Sequence, residues 1–257
     1  MVAFDHPVAF PLPGGAASLL ALGFILGLRH ALDADHLIAV STIVSERKGF
    51  LTSSIVGMLW GIGHTFSLLV VGLIVIALQV HIHERIAQLM EFAVAGMLIL
   101  LGSRVLWQMR RGGRLHAHVH EHGWVVHAHP HIHTVGHEAD HKHMQPFTLR
   151  LAHHLNAGKR SILVGIVHGM AGSAALMLVV LATIPSAKLA LLYVGVFGVG
   201  SIGGMLMMST LIGIPFVLTA QRSDKLNAAV RGISGVVSVV FGLYLAWQIG
   251  VVEGLFL

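Results

Sequence analysis

Cysteine is absent from this 257-residue chain, and charge is scarce. Without thiols there can be no disulfide, thiolate zinc site or cysteine nucleophile, so any metal site must draw on imidazole, carboxylate, backbone or thioether donors. Charged residues make up 11% of the chain, against about 25% in soluble domains, and 55% of residues are hydrophobic. Mean hydropathy is +0.82. Several apolar stretches reach the roughly 20 residues that cross a bilayer as a helix, and they cannot all be buried core helices. The start, MVAFDHPVAFPLPGG, lacks the basic n-region of a cleavable signal peptide and carries Asp5 and three prolines. An isoelectric point near 10.1 would suggest nucleic acid for a soluble protein. Here the basic residues flank apolar stretches, which ties them to membrane orientation and gives no reason to expect a nucleic-acid partner.

The expected fold is therefore an all-α integral membrane protein in the lipid bilayer, with about six spans near 17–45, 51–79, 86–108, 160–184, 187–218 and 229–250. The first, second and fifth exceed the length needed to cross, which predicts strong tilt or a helix broken within the membrane. Arg47, Lys48, Arg110, Arg111, Arg114, Lys142, Arg150, Lys159, Arg160, Arg222, Lys225 and Arg231 fall between spans one and two, three and four, and five and six. The opposite side carries only Arg85 and Lys188. The positive-inside rule then puts both termini outside the cytoplasmic membrane and the long polar segment in the cytoplasm.

Glycine is plentiful, and Gly23/Gly27, Gly57/Gly61, Gly165/Gly169 and Gly200/Gly204 have the spacing that lets helix backbones approach closely in lipid. A faint internal echo sets GLRHALDADHL (27–37) beside GIVHGMAGSAAL (165–176), placing His30 against His168. With a similar offset, GIGHTFS (61–67) matches SIGGMLMMS (201–209), placing His64 against Gly204. Three spans per half invert the second half relative to the first, an arrangement typical of transporters that bind substrate near the midplane. The expected division is a three-helix half over 1–109, a His-rich loop over 110–158 and a second three-helix half over 159–257.

The unusual segment is RHALDADH, with Arg29, His30, Asp33, Asp35 and His36 inside an apolar span. A charge at mid-membrane costs about 2.5–3.5 kcal/mol on insertion scales, so these groups must be paired, hydrated or bound to a cation. In an intact helix His30, Asp33 and His36 share one arc and Asp35 points away; in an unwound helix Asp35 joins them. Both geometries stand at this stage. Neutral imidazole with carboxylate suits Ni²⁺, Co²⁺ or Zn²⁺ better than Mg²⁺ or Ca²⁺. His64 in span two and His168 in span four add buried imidazoles at similar depth. Ligand imidazoles must be neutral, so affinity is expected to fall as pH drops below about 6.5.

RHALDADH resembles the signature of the nickel/cobalt permease family within the NicO superfamily, a His and then Asp-His after four residues, here His30, Asp35 and His36. Gly63 and His64 in GHTFSL resemble the family's second conserved region, and HGMAGSAAL and GSIGGMLMMS are also similar to NicO sequence. The resemblance implies secondary transport of Ni²⁺ or Co²⁺ as substrate, with no ATPase, no organic cofactor and no enzymatic activity. It implies a metal set around His30, Asp35 and His36 in a distorted helix, which Asp33, His64 and His168 extend and Arg29 supports. Typical permeases of the family have eight spans with the signature in the second; this chain has fewer. Uptake is the expected direction, with passage to intracellular nickel or cobalt acceptor proteins.

Between 116 and 143 lie 11 histidines: His116, His118, His120, His122, His127, His129, His131, His133, His137, His141 and His143. Such tracts bind transition metals with little geometric control, so this loop is expected to act as an auxiliary metal buffer, disordered without metal. Export of the same metals is the nearest rival. An intramembrane metalloenzyme lacks an HExxH pair, and its general base would have to be Glu91. A haem carrier ligated by His30, His64 and His168 would place acidic groups beside an axial imidazole.

Overall fold

The computed structural model describes residues 15–46, 49–78, 83–111, 115–122, 125–132, 147–170, 184 and 186–256. Seven helices carry the described fold: α1 (Gly15–His30), α2 (Ala34–Val44), α3 (Phe50–Leu78), α4 (Glu84–Arg110), α5 (Phe147–Gly169), α6 (Ala187–Arg222) and α7 (Asp224–Trp247). A π turn over Gln248–Val252 ends α7. Among the described residues four helices are long and apolar enough to cross a membrane: α3, α4, α6, and α7 with its π turn. The bent pair α1 and α2 makes a fifth candidate. The chain is an integral membrane protein.

The first span is broken rather than continuous. Asp33 leaves the helical region at φ −60°, ψ 145° and takes the N-cap position of α2 without a side-chain capping bond, and α2 turns 54° away from α1. Tight turn bonds from Leu32 to the Arg29 carbonyl (2.8 Å) and from Asp33 to the His30 carbonyl (3.1 Å) close the gap. Asp is a favoured residue at that position, and here its carboxylate accepts from His30 Nδ1 at 2.8 Å rather than from the α2 backbone. The fourth span also differs from expectation. Its helix starts at Phe147, inside the segment read as loop, and 171–183, the rest of that expected span, lies outside the described residues.

Part of the His-rich segment forms an antiparallel ladder, β1 (Leu115–His122) with β2 (Val125–Ile132), in a register that sets His116 opposite His131, His118 opposite His129 and His120 opposite His127. His133, His137, His141 and His143, with Arg47, Lys48, Arg114 and Lys142, lie outside the described residues.

The helices meet backbone to backbone. A Cβ at Gly63 would overlap the Ile162 carbonyl, and one at Gly200 would overlap that of Phe24. Gly165 abuts the backbone of Trp60 and His64, while Gly27 abuts that of Phe197 and Ser201. On α4 and α7, Gly102 faces Gly235 and Val239, and Gly242 faces Ala95 and Ile99. In each couplet the helices exchange roles between the two parts of the chain. All four glycine pairs picked out by spacing lie at helix contacts, some of them against side chains, as Gly23 against Tyr193 and Gly57 against Ser209. One apolar core gathers around Ala39, Trp60, Leu98 and Met205, and a second cluster around Leu68, Tyr193 and Phe197.

Candidate metal centre

The break between α1 and α2 decides which side chains meet. It turns His30 at the end of α1, and Asp35 and His36 at the start of α2, toward His64 on α3 and His168 at the end of α5. His36, His64 and His168 are fully buried and His30 nearly so, at 7% exposure. Ring centroids stand 4.4 Å apart for His30 and His36, 5.0 Å for His30 and His64, and 4.1 Å for His36 and His168. His64 and His168 are 5.9 Å apart. The glycine contacts explain how two helices bring their imidazoles so close: Gly165 and Gly169 seat α5 directly on the α3 backbone around His64.

The hydrogen bonds assign the tautomers. One oxygen of Asp35 faces His36 Nδ1 at 3.0 Å and the other faces His168 Nε2 at 2.9 Å. A carboxylate only accepts, so both rings donate to it. His30 Nδ1 likewise donates to Asp33 at 2.8 Å. His30 Nε2 is then an acceptor, and the hydrogen on the 3.0 Å contact with His64 Nε2 belongs to His64. Three nitrogens are left buried without a hydrogen-bond partner, His36 Nε2, His64 Nδ1 and His168 Nδ1. In this assignment each carries a bare lone pair. An unmade bond at a buried polar atom costs about 1–3 kcal/mol, and here three occur together.

Two triplets have donor atoms mutually within 4.8 Å: His30, His36 and His64, and Asp35, His36 and His168. A ring nitrogen bonded to a carboxylate, with the other free, is the usual arrangement of a metal-binding histidine.

Of the residues singled out from sequence, His30, Asp33, Asp35, His36, His64 and His168 come together. Arg29 does not: it is exposed and makes no ion pair with a described residue. Trp60 was not foreseen. Its ring lies 5.3 Å from His36 and 5.4 Å from His168, closing one side of the cluster. Its place four residues before His64, on the same helical face, was the available signal.

Membrane-crossing helices packed around a buried cluster of ionisable groups define a polytopic membrane protein with its polar chemistry inside the bundle. The family model for NicO, high-affinity nickel-transport protein, matches residues 16–253, and the chain belongs to that family. This is a family of transporters, not enzymes. The chain is 39% identical to a urease accessory protein, UreH, of Bacillus sp. (strain TB-90), over 93% of this chain and 95% of the relative. It is 31% identical to a high-affinity nickel transport protein of Cupriavidus necator over 42% of this chain and 34% of that one. No solved structure matches.

Proposed function

We propose that the protein carries Ni²⁺, and Co²⁺ as an alternative substrate, into the cell across the cytoplasmic membrane by secondary transport. The observation that carries this reading is the set of three unpartnered imidazole nitrogens, His36 Nε2, His64 Nδ1 and His168 Nδ1. His30, His36, His64 and His168 hold the ion. Asp33 and Asp35 stand behind His30, His36 and His168, supply compensating negative charge, and keep those three rings in tautomers that offer a lone pair. A nitrogen-rich set of this kind favours nickel and cobalt over hard cations.

Transport proceeds between two three-helix halves, 1–109 and 159–257, joined by the His-rich segment. The exchanged couplets of helix contacts support an inverted relation between them. They favour a register in which Gly63 matches Gly200, so that His64 falls on Ser201, one helical turn from the Gly204 suggested by sequence. His168 remains the counterpart of His30. Both termini lie outside and the His-rich segment lies in the cytoplasm, as the Lys/Arg distribution supports. The histidines of 116–143 gather the ion after passage. The name of the Bacillus relative supports onward delivery to an intracellular acceptor.

The test is nickel flux into proteoliposomes containing protein that lacks 115–143, with the gradient imposed in each direction. Inward flux that His36→Ala abolishes, with unchanged membrane insertion, is expected. Normal flux in His36→Ala would remove the site, and flux confined to the outward direction would reverse the assignment to export.

A further inference from the structure

A cavity of about 280 Å³ opens between α2, α4 and the end of α7. Its polar lining is Asp35, Glu91, Gln248 and Glu253, and its apolar wall includes Val94 and Phe241. Asp35 is thus shared: one face looks into the cavity, and its two oxygens hold the buried His36 and His168. Beyond it lie the unpartnered Nε2 of His36 and Nδ1 of His168. The cavity therefore ends on the candidate metal centre, one carboxylate from two free imidazole lone pairs.

Glu91 has no role in the centre itself. It is a carboxylate within a membrane-crossing helix, half-buried, with no hydrogen bond or ion pair to another described residue. Such a group is costly unless it serves a cation or a water-filled path. Glu253 is brought to the same wall by the π turn. Five residues apart in an α-helix, Gln248 and Glu253 would point about 140° away from each other. The wider π turn, closed by the bond from the Glu253 amide to the Gln248 carbonyl (2.9 Å), brings them onto one face. Gln248 then donates to the Glu253 carboxylate at 3.4 Å, and Gln88 on α4 donates to the Glu253 carbonyl at 3.2 Å. The volume accepts an ion with six waters, on the order of 200 Å³ at about 30 Å³ per water.

A second cavity, about 260 Å³, lies toward the other end of α2 and α4 and has the opposite character. Arg104 and Arg160 line it with a single carboxylate, Glu46, which stands 3.8 Å from Arg104. A divalent cation is drawn to the first cavity and repelled from the second.

We propose that Glu91 and Glu253 make the first cavity a waiting site, where a hydrated divalent cation is gathered before Asp35 passes it to the imidazoles. This rests on the transport reading and on the orientation that puts the end of α7 outside. The waiting site raises the local ion concentration without taking part in the tight, dehydrated complex. Its loss therefore weakens capture and leaves the transfer step intact.

Nickel uptake kinetics of Glu91→Gln and Glu253→Gln, in proteoliposomes containing protein lacking 115–143, test this beside His36→Ala. KM is expected to rise about tenfold in Glu91→Gln with Vmax changed less than about twofold, and the effect is expected to shrink at high ionic strength. Unchanged KM, or a fall in Vmax alone, would overturn the waiting site. Because the chain has no cysteine, Gln248→Cys gives a second measurement. An impermeant cationic thiol reagent should label it from outside faster than an anionic one, nickel should slow that labelling, and Glu91→Gln should erase the preference. Equal rates, or labelling only from inside, would also overturn the proposal. If unmutated protein carries nickel and only these results fail, the transport reading stands; if it carries none, that reading fails first.

Discussion

Asp35 divides one carboxylate between rings on two helices, and that division sets what the rings can offer. Replacing it with Asn leaves one accepting oxygen and one donating amide, so either His36 or His168 must turn its ring hydrogen around and present N–H where a lone pair stood. Asp35→Asn is expected to weaken nickel affinity about 10- to 100-fold. Titration of purified protein lacking 115–143, by calorimetry or by the ligand-field spectrum of nickel, reads this directly; wild-type affinity would show that the carboxylate does not orient the rings. The motif RHALDADH announced these residues as an expensive cluster. The tautomer assignment was not legible, because it depends on which side of the break each carboxylate falls, and Ala31, Leu32 and Asp33 include no Gly or Pro to announce a break. The excess length of the first span and the family resemblance pointed to a distorted helix, and Asp33, as a capping type of residue, hinted at its place.

Among the helices, small-residue spacing proved informative because it reports on backbone approach, a property that sequence carries directly. Gly23/Gly27 and Gly200/Gly204 lie at one seam, between α1 and α6. The start of α5 at Phe147 was harder to see, since polar residues there give no span signal although they permit a helix. Two glycines of α4 allow a clean comparison. At Gly102 a Cβ would stand 2.5 Å from the Gly235 carbonyl, whereas at Gly96 nothing lies within 4 Å. Gly102→Ala is expected to cost about 1–3 kcal/mol through overpacking against backbone that cannot swing aside. Gly96→Ala should be neutral or slightly stabilising, by up to about 1 kcal/mol from helix propensity. Thermal unfolding of both variants in detergent decides it, and equal stabilities would mean that the α4–α7 contact is looser than described.

For the molecule as a whole, hydropathy and charge asymmetry carried the membrane class. The proposed relation between the halves was only faintly present, as an echo that glycine-rich segments allow in more than one alignment. Contacts across the two proposed halves favour the register that sets His64 against Ser201. They also allow the halves to be pinned. A Cβ at Gly213 would lie 2.9 Å from that of Ser53, across α3 and α6. A slight separation brings the pair into the disulfide range of about 3.5–4.5 Å. With Ser53→Cys and Gly213→Cys together, oxidation is expected to arrest nickel flux and reduction to restore it; undiminished flux in the bonded form would mean that α3 and α6 need not part. The bare glycine seams give this a mechanical sense. Where Gly27, Gly63, Gly165 and Gly200 rest on main chain, few side chains interleave, so under the transport reading these helices would slide as plain bearings rather than gears.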